Sequence, residues 1–541
     1  MTHFEERAEG AFRLPANGSR LRSLLSLALT FALLAAAWIG RAAISSDGAE
    51  VLSDTFGYFV TGRLESATVP PRTVDPMYPA PHPFRSRYGV APSLLAVPFL
   101  APAWPFRTSI GAVGLDAAAA LMWAAGAGLA AWAFLRLARV LRPGASPFWA
   151  PAFLAGTFLW PYAADSYTEP WAAAALALGA AGLLRGSSDP MRAGLGAGLG
   201  TLSAALLKPM LWVLAPAVVL AALARDKGRP GLPRAAAGAV AILVPGLAGA
   251  LALNAALYGR ATDFGYGYVG LPFDHPLSEG LAGLLISPGR GLLFFAPVAF
   301  LAPFVFRRLS NPARVLCGIL PLVLLLVVAR WFSWHGASCW GPRLLLPALP
   351  LLAAPAVLLP RAVVFAAVGA GVAVNVLGVL AAPGAFITYA EMLGGPATAG
   401  WPRAGSDRVS TLPLLAPPLG HAVLVARGAG IRVDAPWLAP GVLEGMPLPP
   451  PSVWLFPAIP RRLAGLPPIT PISALLLARI AVAEASRGRP ELAALHASES
   501  LALDPGQRYA ETLRLLAEPR SGAGAGPDRE IRSRDPNGGT R

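Results

Sequence analysis

Leu24-Leu-Ser-Leu-Ala-Leu-Thr-Phe-Ala-Leu-Leu-Ala-Ala-Ala-Trp-Ile-Gly-Arg-Ala-Ala-Ile44, followed by Ser-Ser-Asp47-Gly48-Ala-Glu50, decides how the rest of the chain is read. A hydrocarbon core about 30 Å thick is crossed by roughly 20 apolar residues in a helix. The block has that length, and it exceeds the apolar core of about 7 to 15 residues found in a cleaved leader. It therefore reads as an uncleaved first span. Arg7, Arg13, Arg20 and Arg22 precede it, and the carboxylates Asp47, Glu50 and Asp54 follow. Basic residues stay on the cytoplasmic side, so the N-terminus is expected inside and Asp47 outside.

Working outward, blocks of the same kind recur. Spans are expected at 24–44, 110–135, 148–164, 170–184, 193–207, 210–224, 235–257, 291–306, 315–331, 344–360 and 362–382, about eleven in all. The pair around Lys208 and Pro209 is short, and reads equally as a broken or re-entrant segment. Every second loop repeats the basic bias: Arg136, Arg139 and Arg142; Arg185 and Arg192; Arg225, Lys227, Arg229 and Arg234; Arg307, Arg308 and Arg314; Arg361. The alternate loops hold Asp165, Glu169, Asp263, Asp274 and Glu279. With 55% hydrophobic and 13% charged residues, and a mean hydropathy of +0.55, the chain fits no soluble class. The net charge of +15 sits mostly in short inter-span loops, so it marks topology rather than nucleic-acid binding. Cys317 lies in an apolar block and Cys339 in a loop, which gives neither a disulfide nor a cysteine metal site.

The expected organisation is a cytoplasmic tail (1–23), a transmembrane domain (24–382) with long outer loops at 45–109 and 258–290, a Pro-rich extracytoplasmic cap (383–470), a helical region (471–517) and a disordered tail (518–541). An odd number of spans places the C-terminus outside. In the first long loop, Ala91 to Trp104 is apolar but carries Pro92, Pro98 and Pro102, and is read as lying at the interface. Glu491 to Pro505 resembles the second helix of a tetratricopeptide repeat. One such unit cannot bury its own face, so it requires a neighbour or a protein partner; an amphipathic helical hairpin fits equally well.

Chemistry-bearing residues cluster at the outer ends of spans. Asp47 and Glu50, three apart, share a helical face at the membrane boundary; a cap on a short helix would use Asp47 in the same way. Arg87, beside Tyr88, offers a guanidinium to a phosphate, or snorkels to the interface. Glu169 opens the fourth span next to Pro170. Lys208 lies inside apolar sequence, where a charge costs about 2.5–3.5 kcal/mol and commonly faces a cavity or a counter-charge. Ser287-Pro-Gly-Arg290-Gly291 and Gly341-Pro-Arg343 each bring an Arg to the start of a span, and Trp334-His335 lies just before the second. Arg and a helix N-terminus both favour an anion.

In their order along the chain, Ser46-Asp47-Gly48, Tyr88-Gly89 leading to Pro98-Phe99, Thr168-Glu169-Pro170, Leu207-Lys208-Pro209, Ser287-Pro288-Gly289-Arg290-Gly291, Trp334-His335-Gly336 and Gly341-Pro342-Arg343 resemble the GT-C superfamily of polytopic membrane glycosyltransferases. The likeness is to bacterial relatives of the protein mannosyltransferases and the aminoarabinose transferases. It covers most of residues 20–380. It implies an all-α GT-C-like fold in a bacterial inner membrane and an inverting transfer from a polyprenyl-phosphate-linked sugar to an extracytoplasmic acceptor. Asp47, with Glu50, would then be the catalytic or metal-associated carboxylate. Lys208, Arg290, Arg343 and Arg87 would bind the donor phosphate, and Tyr88, Glu169, Trp334 and His335 would line the acceptor or sugar pocket. The acids here are three apart rather than adjacent or one apart as in many members, which leaves a divalent cation undecided. Against this stand a transporter or lipid flippase, which calls for internal repeats and charges at mid-membrane depth, and a non-catalytic envelope assembly protein docking through 471–517.

Overall fold

The structure, a computed structural model, describes residues 16–39, 46–61, 89–163, 167–185, 189–227, 231–262, 273–336, 339–380, 416–428, 472–486, 488–503, 505 and 510–517. Arg87, Tyr88, Asp165, most of the cap and the tail 518–541 lie outside them. The side chains of Asp47 and Glu50 do too, although their backbone is helical.

Among the described residues there is no strand. The helices are α1 (Ala16–Ile39), α2 (Ser46–Thr61), α3 (Val90–Leu100), α4 (Arg107–Leu141), α5 (Trp149–Ala155), α6 (Glu169–Leu184), α7 (Pro190–Leu207), α8 (Ala215–Asp226), α9 (Arg234–Tyr258) and α10 (Leu277–Ile286). They continue as α11 (Leu292–Phe295), α12 (Asn311–Arg314), α13 (Leu320–Arg330), α14 (Leu349–Ala353), α15 (Arg361–Leu380), α16 (Pro417–Gly428), α17 (Ile472–Ser486), α18 (Pro490–Leu503) and α19 (Ala510–Ala517). Six stretches are long and apolar enough to cross a membrane: Arg20–Ala37, Gly114–Leu141, Pro209–Asp226, Arg234–Ala256, Asn311–Arg330 and Arg361–Leu380. Shorter apolar helices at Val90–Leu100, Glu169–Leu184, Leu277–Ile286, Arg343–Leu358 and Pro417–Ala426 fill in between them. The chain is a polytopic, all-α membrane protein.

Several expected spans are not continuous α-helices, and prolines account for most of the breaks. The span expected at 148–164 stops at Gly156, where Thr157 Oγ1 donates back to the Phe153 carbonyl at 2.8 Å; a three-residue 3-10 turn then begins at Pro161. The span expected at 291–306 is one turn of α-helix. Ala296, ahead of Pro297, is forced to φ −151°, ψ 63°, and a 3-10 run carries the chain to Arg308. Pro347, Pro350 and Pro355 likewise divide Arg343–Leu358 into 3-10, α and 3-10 pieces. The doubtful pair around Lys208 is broken. α7 ends at Leu207, Lys208 is extended at φ −145°, ψ 96°, and a 3-10 segment Pro209–Leu214 leads into α8. The stretch read as interfacial forms α3, whose 11 residues rise only about 16 Å.

α4, α6, α7 and α9 pack side by side in that order. Apolar burial gives little drive between helices already in lipid, so close backbone approach has to hold them. The run Arg192-Ala-Gly-Leu-Gly-Ala-Gly-Leu-Gly200 supplies it. A Cβ added at Gly194 would lie 1.9 Å from the Ala235 carbonyl oxygen of α9. Asp226 Oδ2 accepts from the amides of Ala235 and Ala236 at 2.7 and 3.3 Å, capping the start of α9.

The helices sort charge by end. Leu184, at the C-terminus of α6, clusters with Leu141, Phe306, Leu309 and Leu358. The basic loops gather there: Arg142 donates to the Val357 carbonyl at 2.7 Å, Arg225 to those of Leu183 and Arg185, and Arg314 to those of Arg307 and Phe306. Glu169 starts α6 at the opposite end, about 23 Å away by the length of a 16-residue helix.

Helices α17 and α18 form a hairpin, and α19 packs on α18. The neighbour that the tetratricopeptide-like segment needed is this chain itself. Leu476, Leu477 and Ile480 bury against Leu52 and Phe56 of α2, Ala96 and Leu100 of α3, and Met122 and Trp123 of α4. Arg107 at the start of α4 pairs with Glu499, which also holds His496 Nδ1 at 3.3 Å.

Candidate functional site

At the end opposite the arginine-rich loops, three helix breaks bring charged side chains together inside the bundle. Pro170 sits next to Glu169 in the first turn of α6, where a missing N–H costs nothing. The break at Pro209 ends α7 so that Lys208 points across to it. Lys208 Nζ donates to Glu169 Oε1 at 2.7 Å, with side chains 7% and 1% exposed. Arg343, which opens the 3-10 segment after Pro342, brings its Nε to 3.7 Å from the same oxygen. Its guanidinium carbon lies 4.1 Å from the centre of the Tyr167 ring, a cation–π contact. Burying charges is expensive, and the expense is met only by pairing in good geometry. One carboxylate here organises two cations.

A third cation lies in the same neighbourhood. Arg290 is fully buried, and its Nη1 donates to Cys339 Sγ at 3.4 Å. Its backbone is set by the Ser287 turn: Ser287 Oγ donates to the Gly283 carbonyl at 2.7 Å and accepts from the Arg290 amide at 3.1 Å. His335 lies within electrostatic reach of both arginines. Burial, then Arg290, His275 and Arg343, push its pKa down to about 3, so the imidazole is neutral at physiological pH. Trp334 packs between Gly283 and the His275 ring, whose centre is 5.8 Å from its own. Gly336 turns the chain at φ +74°, a conformation that favours glycine. A Cβ there would come within 3.5 Å of Arg343 Nε.

The loop that delivers Arg343 is anchored from behind. Trp340 Nε1 donates to Asn375 Oδ1 at 3.0 Å, and Asn375 Nδ2 donates to the carbonyls of Phe295 and Gly371 at 2.9 and 2.8 Å. Tyr162 Oη donates to the Trp340 carbonyl at 2.9 Å. The His421 ring of α16 meets the Trp340 ring edge-on at 4.7 Å.

Of the residues singled out from sequence, Glu169, Lys208, Arg290, Arg343, Trp334 and His335 thus come together. The expectation that Arg290 and Arg343 mark α-helix starts needs correcting. α11 is a single turn and Arg343 begins a 3-10 segment, because prolines at 297, 342 and 347 interrupt both. The guanidinium groups, not a helix dipole, carry the positive charge. Asp47 and Glu50 occupy the first turns of α2. Asp54, seven residues after Asp47 and therefore on the same line of the helix, is buried. Tyr167, Cys339 and Asn375 were not singled out. Tyr167 had a signal, lying immediately before the Thr168-Glu169-Pro170 motif; Asn375 had only its polarity in a 20-residue apolar helix. No group of three His, Cys, Asp or Glu that could hold a metal occurs among the described residues. The side chains of Asp47 and Glu50, the carboxylates expected to hold a divalent cation if one binds, lie outside the described residues.

No family model matches this chain, and no curated protein matches it. Among solved structures it is similar to the crystal structure of ArnT from Cupriavidus metallidurans bound to undecaprenyl phosphate, at 15% identity and a TM-score of 0.44, covering 88% of this chain and 79% of that one. The apo structure of the same protein matches at 14% identity with the same coverage and TM-score.

Proposed function

We propose that this protein is an inverting, polyprenyl-phosphate-sugar-dependent glycosyltransferase of the GT-C kind, multi-pass in a bacterial inner membrane with its N-terminus cytoplasmic. The observation that carries the reading is the buried cluster of Glu169, Lys208, Arg343, Arg290 and His335, at the end of the bundle opposite the basic loops. A sugar joined to a lipid phosphate already has a good leaving group. Its departure needs fixed positive charge on the phosphate oxygens more than a general acid. Lys208, Arg343 and Arg290 are that charge. Glu169 holds two of them in place, a different task from lining the acceptor pocket.

In the proposed step the acceptor hydroxyl oxygen attacks the anomeric carbon from the face opposite the phosphate. The bond from carbon to phosphate oxygen breaks, and its electron pair stays on the lipid phosphate. The hydroxyl proton passes to Asp47 as general base. A divalent cation, if bound, would use Asp47 and Glu50 and steady the phosphate charge. Neutral His335 can donate or accept a hydrogen bond without adding charge. The lipid tail stays in the bilayer, which accounts for a membrane-embedded catalyst. A transporter or flippase fits less well, since it calls for charges at mid-membrane depth, whereas Glu169 and Lys208 lie at the ends of α6 and α7 remote from the basic loops. A docking protein fits less well, since α17 and α18 spend much of their apolar face on this chain's own α2 to α4.

The test is turnover by the purified full chain in lipid nanodiscs, with radiolabelled polyprenyl-phosphate sugars and extracted envelope lipids, glycans and proteins as acceptors. The expected result is transfer by wild type, and a loss of at least a hundredfold in Asp47→Asn with donor binding retained. Undiminished turnover by a folded Asp47→Asn variant would remove the base from the mechanism.

A further inference from the structure

We propose that the arginine-rich end carries a binding site for an anionic glycerophospholipid of the adjoining leaflet, between α1, the turn after α4 and α15. A cavity of about 730 Å³ opens there. Arg22 from α1, Arg139 from the last turn of α4 and Arg361 at the start of α15 all line it. Its wall is apolar: Leu29 and Leu33 on α1, and Trp149 and Phe365, whose rings stack at 5.8 Å with an interplanar angle of 5°. Basic residues at this end follow from topology alone, but topology does not require three of them, from three separate elements, to ring one concavity that continues into a greasy groove. That combination matches the two halves of a phospholipid. Guanidinium groups bind a phosphate diester in bidentate fashion, and the groove beside α1 receives an acyl chain.

The fold makes room for such an occupant. α1 is largely exposed along its outer side, at Leu21, Leu24, Leu25, Leu27, Leu29 and Phe31, and packs on α4, α5 and the 3-10 turn at Pro161. Ser26 Oγ donates to the Pro147 carbonyl at 2.6 Å, and Trp160 Nε1 to the Leu33 carbonyl at 2.9 Å. A lipid wedged between α1 and the α5–α15 pair would close the gap these leave. A leaflet with an anionic surface faces the basic end of a membrane protein, so the headgroup is supplied on the correct side. This site lies at the opposite end from the Glu169 cluster and does not depend on the function proposed above.

Native mass spectrometry of the full chain, exchanged into detergent with equal phosphatidylglycerol and phosphatidylcholine, tests the site. Wild type is expected to retain phosphatidylglycerol preferentially, and an excess of inorganic phosphate should not displace it. Arg139→Gln combined with Arg361→Gln should lower retention, roughly fivefold for each arginine removed. Leu29→Trp, which fills the groove and keeps every charge, should also lower it. Thermal unfolding in phosphatidylcholine alone shows that each variant is folded. Equal retention of the two lipids by wild type, displacement by inorganic phosphate, or unchanged retention in both folded variants would overturn the proposal.

Discussion

Lys208 makes the shortest ion pair of the buried cluster. Removing one partner of a buried pair costs about 3–5 kcal/mol where the other charge is stranded; Glu169 keeps Arg343 at 3.7 Å, so the lower end of that range applies. Lys208→Ala is therefore expected to lower the thermal midpoint of the purified protein sharply. The double variant Glu169→Gln with Lys208→Met removes both charges of the closest pair and should recover part of that loss, Arg343 being left without the Glu169 carboxylate. Recovery of stability without recovery of donor binding would separate the structural role of the pair from its functional one. If the double variant were as unstable as Lys208→Ala, the pair would not be the reason for the loss. His335 gives a second test at this scale. Its folded pKa, about 3, lies below the ordinary 6.5, so the neutral form is favoured by folding. That contribution is present above pH 6.5 and is lost as pH falls toward 3. His335→Gln, neutral at every pH, should flatten this part of the acid-unfolding profile; an unaltered profile would place the acid sensitivity elsewhere. Lys208 was legible in sequence because a lysine in apolar surroundings is costly. Its partner was not, since 39 residues separate Lys208 from Glu169 and the break at Pro209 sets the geometry.

Among the elements, the hairpin of α17 and α18 is the part whose placement sequence periodicity suggested least. Its small, apolar residues announced a helical pair in need of a neighbour, but Leu477 and Ile480 give no sign of which surface covers them. The surface proves to be α2, α3 and α4. Burial tends to raise the Glu499 carboxyl, but His496 and Arg107 outweigh it and hold its pKa below the ordinary value. The contribution of Glu499 to docking is therefore present above the ordinary carboxylate range and is lost as pH falls through the depressed value. Arg107→Ala should cost about 1 kcal/mol or less, as a partly exposed pair does. The measurement is hydrogen exchange: faster exchange in α17 and α18, with α6 and α7 unchanged, is expected. Unchanged rates across the hairpin would mean that apolar packing alone docks it. Gly194, which was not singled out from sequence either, gives a packing test at the same scale. The glycine run of α7 lets α9 approach closely, and Gly194→Leu places a branched side chain where the α9 backbone already lies. Overpacking of this kind costs about 1–3 kcal/mol or more, and poor insertion or a large drop in thermal midpoint is expected.

On the scale of the whole molecule, hydropathy and the alternation of arginine and acid gave the membrane class and the charge sorting between the two ends. They did not give the continuity of the helices. About eleven spans were expected, with one pair, around Lys208, open to being broken; six long apolar stretches and a set of shorter apolar helices, several divided by prolines, are found among the described residues. Hydropathy registers an apolar run such as 291–306 whether its backbone is α or 3-10, while Pro297 and Pro303 decide which it is. Pro297, with Pro342 and Pro347, frees Arg290 and Arg343 from regular helices, so the irregularity and the candidate site are one feature. The most direct measurement is binding of undecaprenyl phosphate to the purified full chain in nanodiscs, followed by native mass spectrometry for wild type, Arg343→Ala and Arg290→Ala. Saturable binding by wild type that weakens at least tenfold in each folded arginine variant is the predicted result. Equal binding by all three proteins, or none by wild type, would contradict a lipid-phosphate site at this cluster.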